Sequence, residues 1–199
     1  MKVGDRLVFF GNVRGLSGIE KECERAKDIL RDIEGGYETA VMRALNRSVQ
    51  RANTRVVQAV KSAYTAKQKY ISRTMRSNLA TTKHLEAMIF IHGERLPMRA
   101  FTFKPKTDTT GNKRKPVKVS VLKKGGMKTL GQSFVWNGLV LRRRGKSSFP
   151  VDTVYGPSVP SMAGNVAVTA EIENSLREAF QKNLDHEIDW ILKSADKKE

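Results

Sequence analysis

The chain has 199 residues, of which 39% are apolar and 29% charged, enough for one domain with a real core. No run of roughly 18 apolar residues occurs, so neither a membrane span nor a membrane partner is expected. The single cysteine, Cys23, excludes an internal disulfide framework and a cysteine-based zinc site, and MKVGDRLVFF lacks the make-up of a signal peptide, which points to a cytoplasmic origin. Standing among Glu22, Glu24 and Arg25, Cys23 reads as an incidental surface or half-buried thiol.

The net charge of +17 is unevenly spread. Between Arg95 and Lys146 there are fifteen Lys/Arg against one acid, Asp108. Between Arg43 and Arg76 there are nine Lys/Arg and no acid. From Glu171 to Glu199 the sign flips, with eight acids against five bases. Such a polarised chain expects an anionic partner: nucleic acid, an acidic protein surface, or the acidic end of its own neighbour.

In chain order, residues 2–10 read as a short strand. Residues 19–34 carry Ile19, Cys23, Ala26, Ile29, Leu30 and Ile33 at helical spacing, and Gly35-Gly36 is the expected stop. A long helix follows from Tyr37 to Tyr64, with Val41, Leu45, Val49, Ala52 and Val56 on its apolar face. Beside them runs a ladder at spacing four: Arg43, Arg47, Arg51 and Arg55. These guanidinium groups repel one another, and no acid follows Arg43 within the helix to relieve them. They form either a solvated stripe or a surface that meets an acidic partner. Thr65 is the expected cap of a second short helix over 66–75.

From Leu85 the pattern suggests two strands around a Gly93–Pro97 turn, then a strand over 116–126 with Val117, Val119 and Val121 on one face. Between them, 107–115 (TDTTGNKRK) reads as a basic hairpin loop. The last expected strand is SFVWNGLVLRRR, 133–144, with Gly138 as a bulge or close backbone approach. A terminal helix over 166–193 carries Val168, Ile172, Leu176, Phe180, Leu184, Ile188 and Ile191 at helical spacing. The expected fold class is α+β, a central antiparallel sheet of about four or five strands flanked by the two long helices. Residues 1–36 would form an N-terminal strand and short helix, and 37–199 a single α+β domain.

No catalytic pattern emerges, and no metal or cofactor is expected. GKSS at 145–148 resembles the end of a Walker A loop, but the required glycine five residues before Gly145 is Val140, and Gly138 lies two residues too far back. His84, His92 and His186 have no second ligand at a metal-binding spacing. No serine sits in a nucleophile elbow, and Cys23 has no nearby histidine. Nucleic-acid binding is a competitor to a protein-docking role, because Phe101, Phe103, Phe134 and Trp136 interleave with Lys and Arg. No helix-turn-helix, zinc-finger or RRM pattern accompanies them.

Residues 142–162, RRRGKSSFPVDTVYGPSVPSM, read as a strand end followed by a rigid loop fixed by Pro150, Pro157 and Pro160, shaped rather than packed. An ordered, exposed loop of this length is expected to bind something. The run Arg144, Gly145, Lys146, Pro150, Val151, then Tyr155, Gly156, Pro157, Ser158, Val159, Pro160 and Met162, resembles the minor tail protein Z family of tailed bacteriophages. ALNRSVQRANTRVVQAV, 44–60, and the following KQKYISRTM are similar to that family's arginine-bearing helix and short second helix, so the resemblance covers about residues 37–190. It implies a structural virion protein at the head-proximal end of the tail, completing it for head joining, with no catalytic residues.

On that reading the partners are further copies of the chain, in a ring with six-fold symmetry favoured, and other tail or neck proteins. Contact with passing DNA is also open, and a DNA- or RNA-binding accessory protein is the alternative. The expected contact residues are Arg142, Arg143, Arg144, Lys146, Tyr155, Gly156, Pro157, Ser158, Val159 and Pro160, with Arg43, Arg47, Arg51 and Arg55.

Overall fold

The computed structural model describes residues 5–12 (backbone only), 19–109 and 115–197. The expected start of the first strand, residues 2–4, and the centre of the 107–115 loop lie outside the described residues. The class is α+β, with strands β1 (Asp5–Asn12), β2 (Met75–Asn78), β3 (Glu86–Gly93), β4 (Arg95–Pro97), β5 (Thr102–Lys104), β6 (Val117–Ser120), β7 (Lys128–Leu130), β8 (Ser133–Trp136), β9 (Leu139–Arg143), β10 (Val151–Thr153) and β11 (Tyr155–Ser158). The helices are α1 (Glu20–Ile29), α2 (Gly36–Ala63), α3 (Gln68–Ser72), α4 (Val159–Ala163) and α5 (Val166–Ala195).

The strands form four small sheets rather than one central sheet, ordered β1-β3-β2, β10-β9-β8, β11-β4 and β5-β6-β7. All six prolines of the chain fall between Pro97 and Pro160. Proline cannot donate to a ladder, and Pro97, Pro105, Pro116 and Pro150 stand at the ends of β4, β5, β6 and β10.

The chain divides into two compact units. One holds α1, α2 as far as Val56, β2, most of β1 and β3, and α5. Val41, Leu45, Val49, Ala52 and Val56 of α2 are buried, as are Val168, Ile172, Leu176, Phe180, Leu184, Ile188 and Ile191 of α5, the positions that the helical spacing selects. Asn46 pins the segment before β3 by bonding both backbone groups of Ala80: its Nδ2 donates to the carbonyl at 3.0 Å and its Oδ1 accepts from the amide at 2.7 Å.

Two expectations change in this unit. The first helix ends at Ile29 rather than at Gly35-Gly36, with the buried Leu30 as its C-cap at φ −97°, ψ 14°. Successive turn bonds, Ile33 N–H to the Leu30 carbonyl and Gly36 N–H to that of Ile33, carry the chain round to Gly35 at φ +66°, and Gly36 starts α2. Cys23 is fully buried, and burial, with Glu22 adding to it, pushes its thiol up to about 11 against an opposing hydrogen bond with Tyr37. It is a core residue.

The other unit holds Val57–Thr74 and His92–Asn165 with the first residues of β1. Thr65 does not cap α3. That N-cap is Lys67, without a side-chain bond, while the Thr65 hydroxyl donates to the Ser120 carbonyl and accepts from the Thr102 amide. The Thr65 amide bonds the Val121 carbonyl, so the exit of α2 is stitched to β5 and β6. β3 and β4 do not pair across Gly93–Pro97; β4 pairs with β11, which sequence spacing could not reveal.

The expected single strand over 133–144 is a hairpin. Val135 faces Val140 and Trp136 faces Leu139 across Asn137 (φ 47°) and Gly138 (φ 68°). Two consecutive positive φ values make the turn that matches strand twist, and Asn-Gly is the pair that adopts it with least strain.

Candidate functional site

The arginine ladder of α2 meets its counter-charge inside the chain. Glu187 of α5 is 1% exposed, and its carboxylate lies 2.6 Å from Arg47 Nη1 through Oε1 and 3.6 Å from Arg43 Nη1 through Oε2. The Oε1 contact is a close ion pair without an aligned hydrogen bond. The Arg43 guanidinium also stacks over Trp190, 4.6 Å from the ring centroid. One turn nearer the α5 N-terminus, Asn183 Nδ2 donates to Ser48 Oγ at 2.9 Å, and Ser48 Oγ donates to the Ala44 carbonyl. Arg43 and Arg47 therefore hold α5 against α2, while Arg51 and Arg55 are exposed. Sequence reasoning does not single out Glu187. Its only sequence signal is an acid on the apolar side of a helix, four positions after Asn183.

The basic strand end divides in the same way. Arg144 forms a two-pronged pair with Asp152, Nε to Oδ2 at 2.7 Å and Nη2 to Oδ1 at 2.9 Å, across the β9–β10 hairpin. The hydrogen bonds, then the carboxylate's charge, raise the Arg144 pKa further, and they hold the Asp152 carboxyl below its ordinary value. Arg143 lies over Phe134, 5.4 Å from the ring centroid, with its Nε buried and without a hydrogen-bond partner. Arg142 and Lys146 are exposed. Phe149, 78% exposed, lies in the same β9–β10 connection as Lys146. GKSS, 145–148, lies in this exposed tip and leads to no helix, unlike a phosphate-binding loop.

The Tyr155–Met162 stretch is a packed element, which corrects its reading as a shaped, exposed loop. It forms β11 and α4, with Ser158, Val159, Pro160 and Met162 buried and Tyr155 exposed. Ser158 caps α4 by accepting from the Ser161 amide at 3.2 Å, and Pro160 sits in the first turn, where its missing N–H costs nothing. Gly156 owes its identity to space rather than to a positive φ. A Cβ there would lie 2.6 Å from Cε2 of Phe101, whose ring is fully buried. The motif residues thus anchor the segment that carries Tyr155.

Among the described residues no group of three or more His, Cys, Asp or Glu could hold a metal ion. None of their helices is long and apolar enough to cross a membrane. Arg43, Arg47 and Arg144 are engaged in ion pairs and Ser158 in a helix cap, while Arg142, Lys146, Phe149 and Tyr155 are exposed. The chain belongs to the prophage minor tail protein Z (GPZ) family, whose model matches residues 20–198, and it is a structural protein of a phage tail. No curated protein and no solved structure matches it.

Proposed function

We propose that the protein completes the head-proximal end of the tail as a subunit of a homo-oligomeric ring or collar, six copies favoured, to which the head joins. It acts without catalysis, and it is made in the host cytoplasm before entering the virion. The observation that carries this reading is the β9–β10 hairpin, where Lys146 and Phe149 are exposed on a loop braced by Arg144 and Asp152, and Arg142 is exposed on the adjoining strand β9. Arginine beside an exposed aromatic side chain is the make-up of protein interface centres. A ring needs two different faces on each subunit, and the exposed acids Glu173, Glu178 and Asp189 of α5 offer a second, opposite in charge to the hairpin.

Electron microscopy of particles assembled with and without the protein tests the role. Intact heads beside separate tails of normal length are expected in its absence, and joined particles would refute it. The variant Arg142→Ser/Lys146→Ser/Phe149→Ser should fold, by circular dichroism, and fail to restore joining.

A further inference from the structure

The sheet β5-β6-β7 turns one face to the core through Phe103, Val117 and Val119 and the other to solvent. On the solvent face Lys104 stands directly opposite Lys118, and Lys118 directly opposite Thr129 on the next strand. All three are exposed, as is Thr102. Like charges directly opposite across a ladder destabilise it unless a counter-charge lies between them. No ion pair joins either lysine to a carboxylate among the described residues, and Asp108, the one acid between Arg95 and Lys146, pairs with neither.

More cations flank this row. Lys106, past the end of β5, turns toward the other face, with its Nζ 3.7 Å from the centroid of the core-facing Phe103 ring. Burial, then the charge of Lys67, pushes its ammonium below its ordinary pKa. Lys115 precedes β6 and Lys123 and Lys124 follow it, all exposed, while Lys128, opposite Val119, is exposed on the other face.

We propose that this face docks the phosphate backbone of duplex DNA. Lysine ammonium and threonine hydroxyl groups are phosphate donors that read no bases. The row itself holds no apolar side chain, the exposed Leu122 and Met127 lying in the β6–β7 connection, whereas a protein interface needs apolar or aromatic anchors at its centre. It also holds no aromatic ring on which an unpaired base could stack, which favours duplex over single strand. The hairpin tip with Phe149 and this sheet are therefore surfaces of different chemistry, although both are basic. The inference rests on the tail reading only for the source of the duplex, the DNA that passes the head-proximal end.

Fluorescence anisotropy of a labelled duplex, titrated with the full chain across a range of salt, tests it. Lys104→Ser/Lys118→Ser should lower the log–log salt slope by about 2, roughly one unit for each phosphate left without its lysine, with affinity falling at least tenfold at low salt. Lys27→Ser/Arg31→Ser removes the same charge from exposed positions on and after α1 and should leave the slope unchanged. Equal reductions in the two variants would reduce the binding to net charge and overturn the proposal. So would polyglutamate competing as well as unlabelled duplex does, which would assign the face to an acidic protein. In the particle assay the double lysine variant should still join heads to tails, so loss of DNA binding and loss of joining are read apart.

Discussion

The arginines of α2 and the lysines facing each other on β5 and β6 set like charges side by side, and the chain treats the two groups oppositely. On the helix, an acid from α5 is buried against Arg43 and Arg47, so their repulsion becomes a clamp between two helices. On the sheet, no described carboxylate answers Lys104 and Lys118. Repulsion read in a sequence therefore states that a counter-charge is wanted without saying whether the chain supplies it. The question is decided by which distant residue the fold delivers: Glu187 in one case, nothing described in the other.

The largest expected effect breaks the helical side. Replacing both Arg43 and Arg47 by Met leaves the Glu187 carboxylate buried without a cation, at a cost of about 3–5 kcal/mol in urea unfolding. Glu187→Gln should cost less, about 1–2 kcal/mol, because the two arginine side chains are 39% and 47% exposed and can turn to water. An equal or larger loss for Glu187→Gln would show that the arginines, not the acid, are the group that needs its partner.

Next comes Gly156, whose unit also carries the lysine face. Gly156→Ala drives a methyl group into the Phe101 ring and should cost about 1–3 kcal/mol. Gly145→Ala, at a position with no atom within 4 Å of the added methyl, should stay within about 0.5 kcal/mol of the parent. Equal stability of the two variants would return the Tyr155–Met162 stretch to the status of an exposed loop.

The difference between the two charged regions tracks what a sequence can show. Helical periodicity marks the buried faces of α2 and α5 almost residue for residue, because a period of 3.6 is set locally. The tail family is legible in the Gly-Pro-Ser-Val-Pro run, although the reason for that run is not: Gly156 answers to Phe101, 55 positions away. The partner of the arginine ladder lies 140 residues beyond Arg47, and the pairing of Lys104 with Lys118 depends on a register that no spacing encodes. Asn137-Gly138 has the composition of a hairpin turn, yet the apolar run on both sides conceals it within one strand.

A smaller effect sharpens the sheet side. Lys118→Glu replaces a repulsive cross-strand pair by an attractive one and should raise stability by about 0.2–1 kcal/mol in urea, while weakening duplex binding more than Lys118→Ser does. Arg47→Glu, the same charge reversal on α2, sets a second carboxylate beside Glu187 and should destabilise. Opposite signs are expected. Matching signs would mean that Lys104 and Lys118 already have a counter-charge within the chain.

The smallest effect concerns Arg144 and Asp152, a pair that lies between the two cases: the counter-charge is internal, but both partners are in water. The Asp152 carboxyl is held below its ordinary 3.8, first by the hydrogen bonds from Arg144. A depressed carboxyl pKa contributes stability at neutral pH that is lost as pH falls through the folded-state value. Bracing of the hairpin tip should accordingly persist through the neutral range and fail only in acid, below the ordinary aspartate value. Carboxyl-carbon NMR should give Asp152 a lower midpoint in the parent than in Arg144→Gln, and 1 M salt should narrow the gap, since exposed charges are screened over about 3 Å there. Equal midpoints in the two proteins would mean that the pair exerts no hold on the loop. Arg144 would then be as available to a partner as Arg142 and Lys146, and the hairpin surface proposed to meet protein would gain a third cation.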